Sequence, residues 1–159
     1  MGYLSKGLFI NFLLINILLA QEPLEIKISS LTYQRYEGSN LVWKLFSENF
    51  WQKNKETFEA KGIYLENLPK GLRIWAKEAI YLKGEEKFIL RGKVRLITEK
   101  EGEVFTEELI FYPKKNLLFA PGQVLIKKEG IQVSGEGLTY SVGEGSFQLH
   151  KRAKAQFKL

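Results

Sequence analysis

The chain has 159 residues, 45% of them hydrophobic and 26% charged, a composition that excludes a disordered or collagen-like chain and provides for one globular core. It contains no cysteine, so neither a disulfide framework nor a thiolate metal site is possible. Its formal net charge of +6 suits anionic lipid, a phosphorylated glycan or an acidic protein as a partner.

At the N-terminus, Lys6 precedes "GLFINFLLINILLA", an apolar run broken only by Asn11 and Asn16 and ending at "AQEP". Residues 1–20 read as a secretory signal cleaved after Ala20, or as a short retained membrane anchor with Lys6 on the cytoplasmic side. A spanning helix needs roughly 17–25 residues, so length alone leaves both open. Either way the rest of the chain is exported. An exported basic domain seldom meets nucleic acid, and none is expected as a partner here. Residues 21–32 form a linker and first strand, and 33–159 the folded domain.

Four prolines and fourteen glycines among many Val, Ile and aromatic residues favour strands joined by turns over a helical bundle. A spacing recurs along the chain: Tyr36 and Trp43, Tyr81 and Phe88, Tyr112 and Phe119, and Tyr140 and Phe147 all lie seven positions apart. If each segment turns back through a two-residue loop, the two rings face each other across a hairpin, a contact worth roughly 0.2–1 kcal/mol beyond an alanine pair. The loops so placed are Ser39-Asn40, Gly84-Glu85, Lys115-Asn116 and Gly143-Glu144, of which the two that start with glycine suit a type II′ turn. The same register sets Ala79 against Leu90, Glu78 against Arg91, Leu138 against Leu149 and Glu136 against Lys151. Gly135 and Gly137 predict a bulge.

Alternation marks strands in "GIYLENL", "LRIWAKEAIYL", "FILRGKVRLITEK", "EVFTEELIFY", "NLLFAPGQVLIKK" and "FQLHKRAKAQFKL". Beyond residue 21 only "NFWQKNKETF" has any helical character, and it fits a twisted strand and its loop equally well. Short strands with turn signals between them and no crossover helices predict an all-β sandwich or roll of stacked hairpins. In the last segment Phe147, Leu149, Ala153, Ala155 and Phe157 share one face. Such a terminal strand belongs at a sheet edge, where its unpaired backbone groups can accept a strand from another protein, unless its lysines and arginine serve to block that pairing.

No residue pattern carries catalysis. His150, the only histidine, has no carboxylate at ligand spacing, and Glu107 and Glu108 are adjacent in a strand and point to opposite faces. "SGEGL" lacks the following helix and third glycine of a dinucleotide site. No enzyme activity, metal or cofactor is expected.

The stretch "FTEELIFYPKKNLLFAPGQVLIKKEGIQVSGEGLTYSVGEGSFQLHKRAKAQF" resembles the LptC family, and "YEGSNLVWKLFSENFW" is similar to that family's first hairpin, with Ser47 where a small residue is usual. The resemblance implies an open antiparallel β-jellyroll, a two-sheet roll of stacked hairpins preceded by one N-terminal hydrophobic helix. It implies a periplasmic protein attached to or associated with the inner membrane, which accepts lipopolysaccharide from the export ABC transporter in an apolar groove and passes it to LptA. The partners it implies are LptA at the C-terminal edge, through Lys151, Ala153, Ala155 and Phe157, and the LptF and LptG subunits driven by the LptB ATPase. The short leader departs from the family and keeps a soluble LptA-like bridge open, beside a structural envelope β-protein with no lipid cargo. A sheltered dodecyl chain gains about 10 kcal/mol at roughly 0.8 kcal/mol per CH₂, which no shallow patch supplies for several chains. The candidate lining is Tyr81, Phe88, Leu90, Tyr112, Phe119, Leu138, Tyr140, Phe147 and Leu149.

Overall fold

A computed structural model describes residues 26–158, so the proposed signal or anchor at 1–20 and its hydrophobic helix lie outside the described residues. The described chain is all-β: β1 (Lys27–Glu37), β2 (Asn40–Gln52), β3 (Thr57–Asn67), β4 (Leu72–Leu82), β5 (Lys87–Ile97), β6 (Glu103–Tyr112), β7 (Leu117–Lys128), β8 (Ile131–Ser141) and β9 (Ser146–Phe157). Each strand pairs antiparallel with its neighbours in the chain, giving one nine-stranded sheet in the order β1 to β9. A single 3₁₀ turn, Pro113–Lys115, joins β6 to β7. Among the described residues no helix is long and apolar enough to cross a membrane.

The sheet is apolar on one face because the strands alternate. In β4, Leu72, Ile74 and Ala76 are buried while Arg73 and Lys77 are exposed; in β6, Val104, Thr106, Leu109 and Phe111 are buried. Where the sequence points to two sheets, one continuous sheet is bent over its own apolar face. Pairing skips or shifts at mid-strand in every neighbouring pair, along a line through Glu48, Lys77, Glu107 and the Pro121-Gly122 step. Positive φ concentrates on that line, at Ser30, Gly62, Gly92, Lys93, Gly137 and Arg152. Such bulges bend and twist strands. At Gly92, φ is +85° and a Cβ would lie 2.9 Å from the Lys77 Cβ, so only glycine passes the crease there without strain.

The bend brings distant strands together. In a flat sheet β2 and β6, four strands apart, would be separated by about 19 Å. Instead the rings of Trp43 and Phe111 meet at 4.4 Å, and Trp43 Nε1 donates to Asn116 Oδ1 at 3.2 Å. From β1, Arg35 donates to the Pro113 carbonyl at 2.9 Å.

Several predicted registers hold: Tyr81 faces Phe88, Ala79 faces Leu90, Tyr140 faces Phe147 and Leu138 faces Leu149. The loops differ. Those after β4, β6 and β8 have four residues, 83–86, 113–116 and 142–145, each ending in a left-handed residue: Glu86, Asn116 and Gly145. Neither Gly84 nor Gly143 therefore supplies the positive φ of a two-residue turn. In the β6–β7 hairpin the loop is centred one residue earlier than the predicted Lys115-Asn116. Tyr112 accordingly faces Leu117, Phe119 faces Ile110, and the interior pair is Phe111 with Leu118. The first hairpin turns at Gly38-Ser39 rather than Ser39-Asn40, and Trp43 faces Arg35 rather than Tyr36. Glu78 and Arg91 are in register, as are Glu136 and Lys151, but the ion pairs form with other neighbours: Arg91 with Glu108, directly opposite it on β6, at 3.0 Å, and Glu136 with Arg152, the residue after Lys151, at 3.4 Å. Gly135 marks the expected bulge.

Candidate functional site: an apolar interior with an open rim

Seven of the nine candidate lining residues, Tyr81, Phe88, Leu90, Leu138, Tyr140, Phe147 and Leu149, lie on the interior face, in register with core side chains. Tyr112 and Phe119 do not join them. A one-residue displacement puts a strand's side chains on the other face, and these two point outward, Tyr112 beneath the Lys115 ammonium and Phe119 beside the His150 ring. His150 is exposed, its Nε2 2.7 Å from Thr139 Oγ1.

The interior has two zones. Leu90, Leu138 and Tyr140 are sealed into the core with Leu109, Leu118 and Ala120. Around them Tyr33, Phe50, Tyr81, Phe88, Ile126, Phe147 and Leu149 are only half-buried, giving an apolar rim that reaches solvent. Rings run unbroken across it: Phe50 to Phe58 at 5.3 Å, Phe58 to Tyr81 at 6.1 Å, Tyr81 to Phe88 at 4.6 Å, Phe88 to Phe111 at 6.0 Å, and Phe111 back to Trp43. The sequence-derived spacing found the middle of this belt. It missed Phe50 and Phe58, which belong to the hairpin whose loop the sequence left ambiguous, and Phe111, one position from the tyrosine that fitted the spacing.

Burial pushes the Tyr81 phenol up to about 12, with the neighbouring Tyr33, Glu86 and Glu56 adding to the rise. Tyr33 and Tyr140 are raised by burial too. At neutral pH the phenols of Tyr33 and Tyr81 on the rim and Tyr140 in the core are therefore uncharged, and the rings of the belt present an acyl chain with no phenolate.

The C-terminal edge is the second element. Strand β9 ends the sheet, and all of 150–158 is exposed. Lys151, Ala153, Ala155 and Phe157 lie on it, with Phe157 68% exposed. Lys158 N–H donates to the Gly130 carbonyl, so by strand alternation the Ala155 and Phe157 N–H groups point away from β8 toward the open edge. Ile126, Val133 and Ala155 stand in one cross-strand row, and Ile131 with Phe157 in the next, so the interior apolar face continues to this edge uncovered. The described residues include no cluster of His, Cys, Asp or Glu that could hold a metal ion. A shallow depression of about 520 Å³ on strands β1 to β3, bordered by Lys27, Asn49, Phe50, Trp51 and Lys61, shares Phe50 with the belt but none of the predicted lining residues.

The family described as "Lipopolysaccharide-assembly, LptC-related" matches residues 21–158. No curated protein sequence matches the chain at a significant level. Among solved structures, the chain is similar to LptH, described as the LptA homologous periplasmic component of the conserved lipopolysaccharide transport device from Pseudomonas aeruginosa, with a TM-score of 0.54. Identity is 9%, over 74% of this chain and 95% of LptH, a likeness of fold.

Proposed function

The chain belongs to the LptC-related lipopolysaccharide-assembly family, whose members serve lipopolysaccharide transport without catalysing a reaction, and from that premise we propose that its rolled sheet carries the acyl chains of lipopolysaccharide on the interior face. In this reading the roll is an open β-jellyroll of the periplasm, held at or near the inner membrane. It takes lipid from the LptF and LptG side of the transporter, which LptB drives, and hands it on along the β9 edge to an LptA-type partner.

The observation that carries the reading is the continuity of one apolar face from the half-open rim at Tyr81, Phe88, Phe147 and Leu149 to the open outer edge of β9 at Ala155 and Phe157. Acyl chains need a path that excludes water along its length, since each CH₂ returned to water loses roughly 0.8 kcal/mol. A partner strand added to β9 would extend the same face into the next protein. Uptake of a fluorescent fatty acid tests this. Phe147→Glu on the rim should abolish uptake, and Phe119→Glu on the outer face should leave it intact; equal effects of the two would refute an interior site.

A further inference from the structure

We infer that the outer face of the sheet, on the β2–β7 side below the crease, is a peripheral membrane-binding surface for anionic lipid headgroups. In register across that face run Phe46, Tyr64, Trp75, Arg95, Phe105 and Leu125. Each is adjacent in sequence to a buried residue of the opposite face, such as Leu45, Leu65, Ile74, Leu96 and Val104, so this row looks outward. A solvated sheet face is ordinarily polar, and a row of half-buried rings is not.

The rings are paired with cations. Tyr64 packs on Trp75 at 5.2 Å, and the Arg73 and Arg95 guanidiniums lie 5.8 and 5.5 Å from the Trp75 ring centre. Lys127 stands 5.3 Å from the Phe105 ring. In the adjoining row Lys44 faces Glu66, and Glu103 is held by Arg95 at 2.8 Å, so cations outnumber carboxylates. At the end of this face the β3–β4 turn presents Leu68, 42% exposed, beside Lys70. Tryptophan, tyrosine and basic side chains with apolar stems are the groups that favour the headgroup layer, rings at its apolar boundary and charges on its phosphates. With guanidiniums covering Trp75, phosphate suits the face better than a stacked sugar. The inference adds a second contact to the proposed transport role and rests on that role only for the presence of a membrane.

The test uses the full chain, which has no native cysteine, labelled at Glu66→Cys with an environment-sensitive fluorophore and, as a control, at Glu85→Cys in the β4–β5 loop. Vesicles of phosphatidylcholine alone and with phosphatidylglycerol are compared. The Glu66 label should shift to the blue only with phosphatidylglycerol, and the shift should fade with salt. At about 1 kcal/mol per basic residue, Arg73→Gln with Arg95→Gln should weaken that response about thirty-fold. Should that pair fail to fold, Lys44→Gln with Lys127→Gln carries the same expectation. A Glu66 label that never shifts, that shifts equally without anionic lipid, or that responds to free oligosaccharide instead of vesicles overturns the inference. Lipopolysaccharide crosslinking from Phe88 in the same variants reads the transport role separately and should be unchanged.

Discussion

Replacing Phe111 with alanine tests the closure of the roll. Its ring is 2% exposed, meets Trp43 across the bend at 4.4 Å and neighbours Phe88 at 6.0 Å. Deleting a fully buried phenylalanine ring costs about 3–5 kcal/mol, the cavity included. The aromatic pair with Trp43 accounts for about 0.5–1.5 kcal/mol of that. Against a total stability on the order of 5–15 kcal/mol the loss is large, and a urea midpoint should fall sharply. Unfolding would be followed by circular dichroism and by Trp43 emission, with Trp51→Phe and Trp75→Phe as background so that Trp43 reports alone. A cycle with Trp43→Leu should recover the coupling as non-additivity. Additive losses, with Trp43 emission unmoved in Phe111→Ala, would refute contact between β2 and β6 across the interior.

Gly92→Ala should lower the melting temperature by several degrees, since φ is +85° and the new Cβ meets Lys77, a cost of about 1–2 kcal/mol; Gly122→Ala, with nothing within 4 Å, should be near neutral. Ala155→Pro should leave thermal stability almost unchanged, because the lost N–H points to the open edge, yet weaken binding of an LptA-type partner measured by titration; unchanged affinity would exclude that edge. Stability should fall between pH 10 and about 12: below that window Tyr81 is neutral in both states, and within it the unfolded phenol ionises first, so the folded state loses ground. Tyr81→Phe should flatten this alkaline loss in urea titrations, and an unaltered slope would show that the phenol is not shielded.

The strands were legible because each is amphipathic at period two: "LRIWAKEAIYL" and "EVFTEELIFY" coincide with β4 and β6 from end to end. Loop phase was harder. A four-residue loop ending in a left-handed residue and a two-residue turn both set residues seven apart against each other, so Tyr81 and Tyr140 were paired rightly with the wrong loop. Between β6 and β7 the proline-led turn and left-handed Asn116 centre the loop one residue earlier, which alternation alone does not reveal, and Tyr112 and Phe119 fall on the outer face. The crease has a signal in the mid-strand glycines of "KGIY", "RGKV" and "APGQ", yet only Gly135 and Gly137, which break a clear alternation, predict a bulge from sequence. That the sheet folds over itself depends on Trp43 meeting Phe111, 68 residues apart in sequence, a contact no local pattern encodes.

The account stands most directly on where lipopolysaccharide touches the chain. A photo-crosslinking amino acid placed in turn at Phe88, on the interior rim, and at Phe119, on the outer face, would be irradiated in membranes with the transporter active. Capture of lipopolysaccharide from Phe88 and none from Phe119 is the predicted result. Capture from Phe119 alone, or from neither while the transporter runs, would contradict an acyl path through the roll.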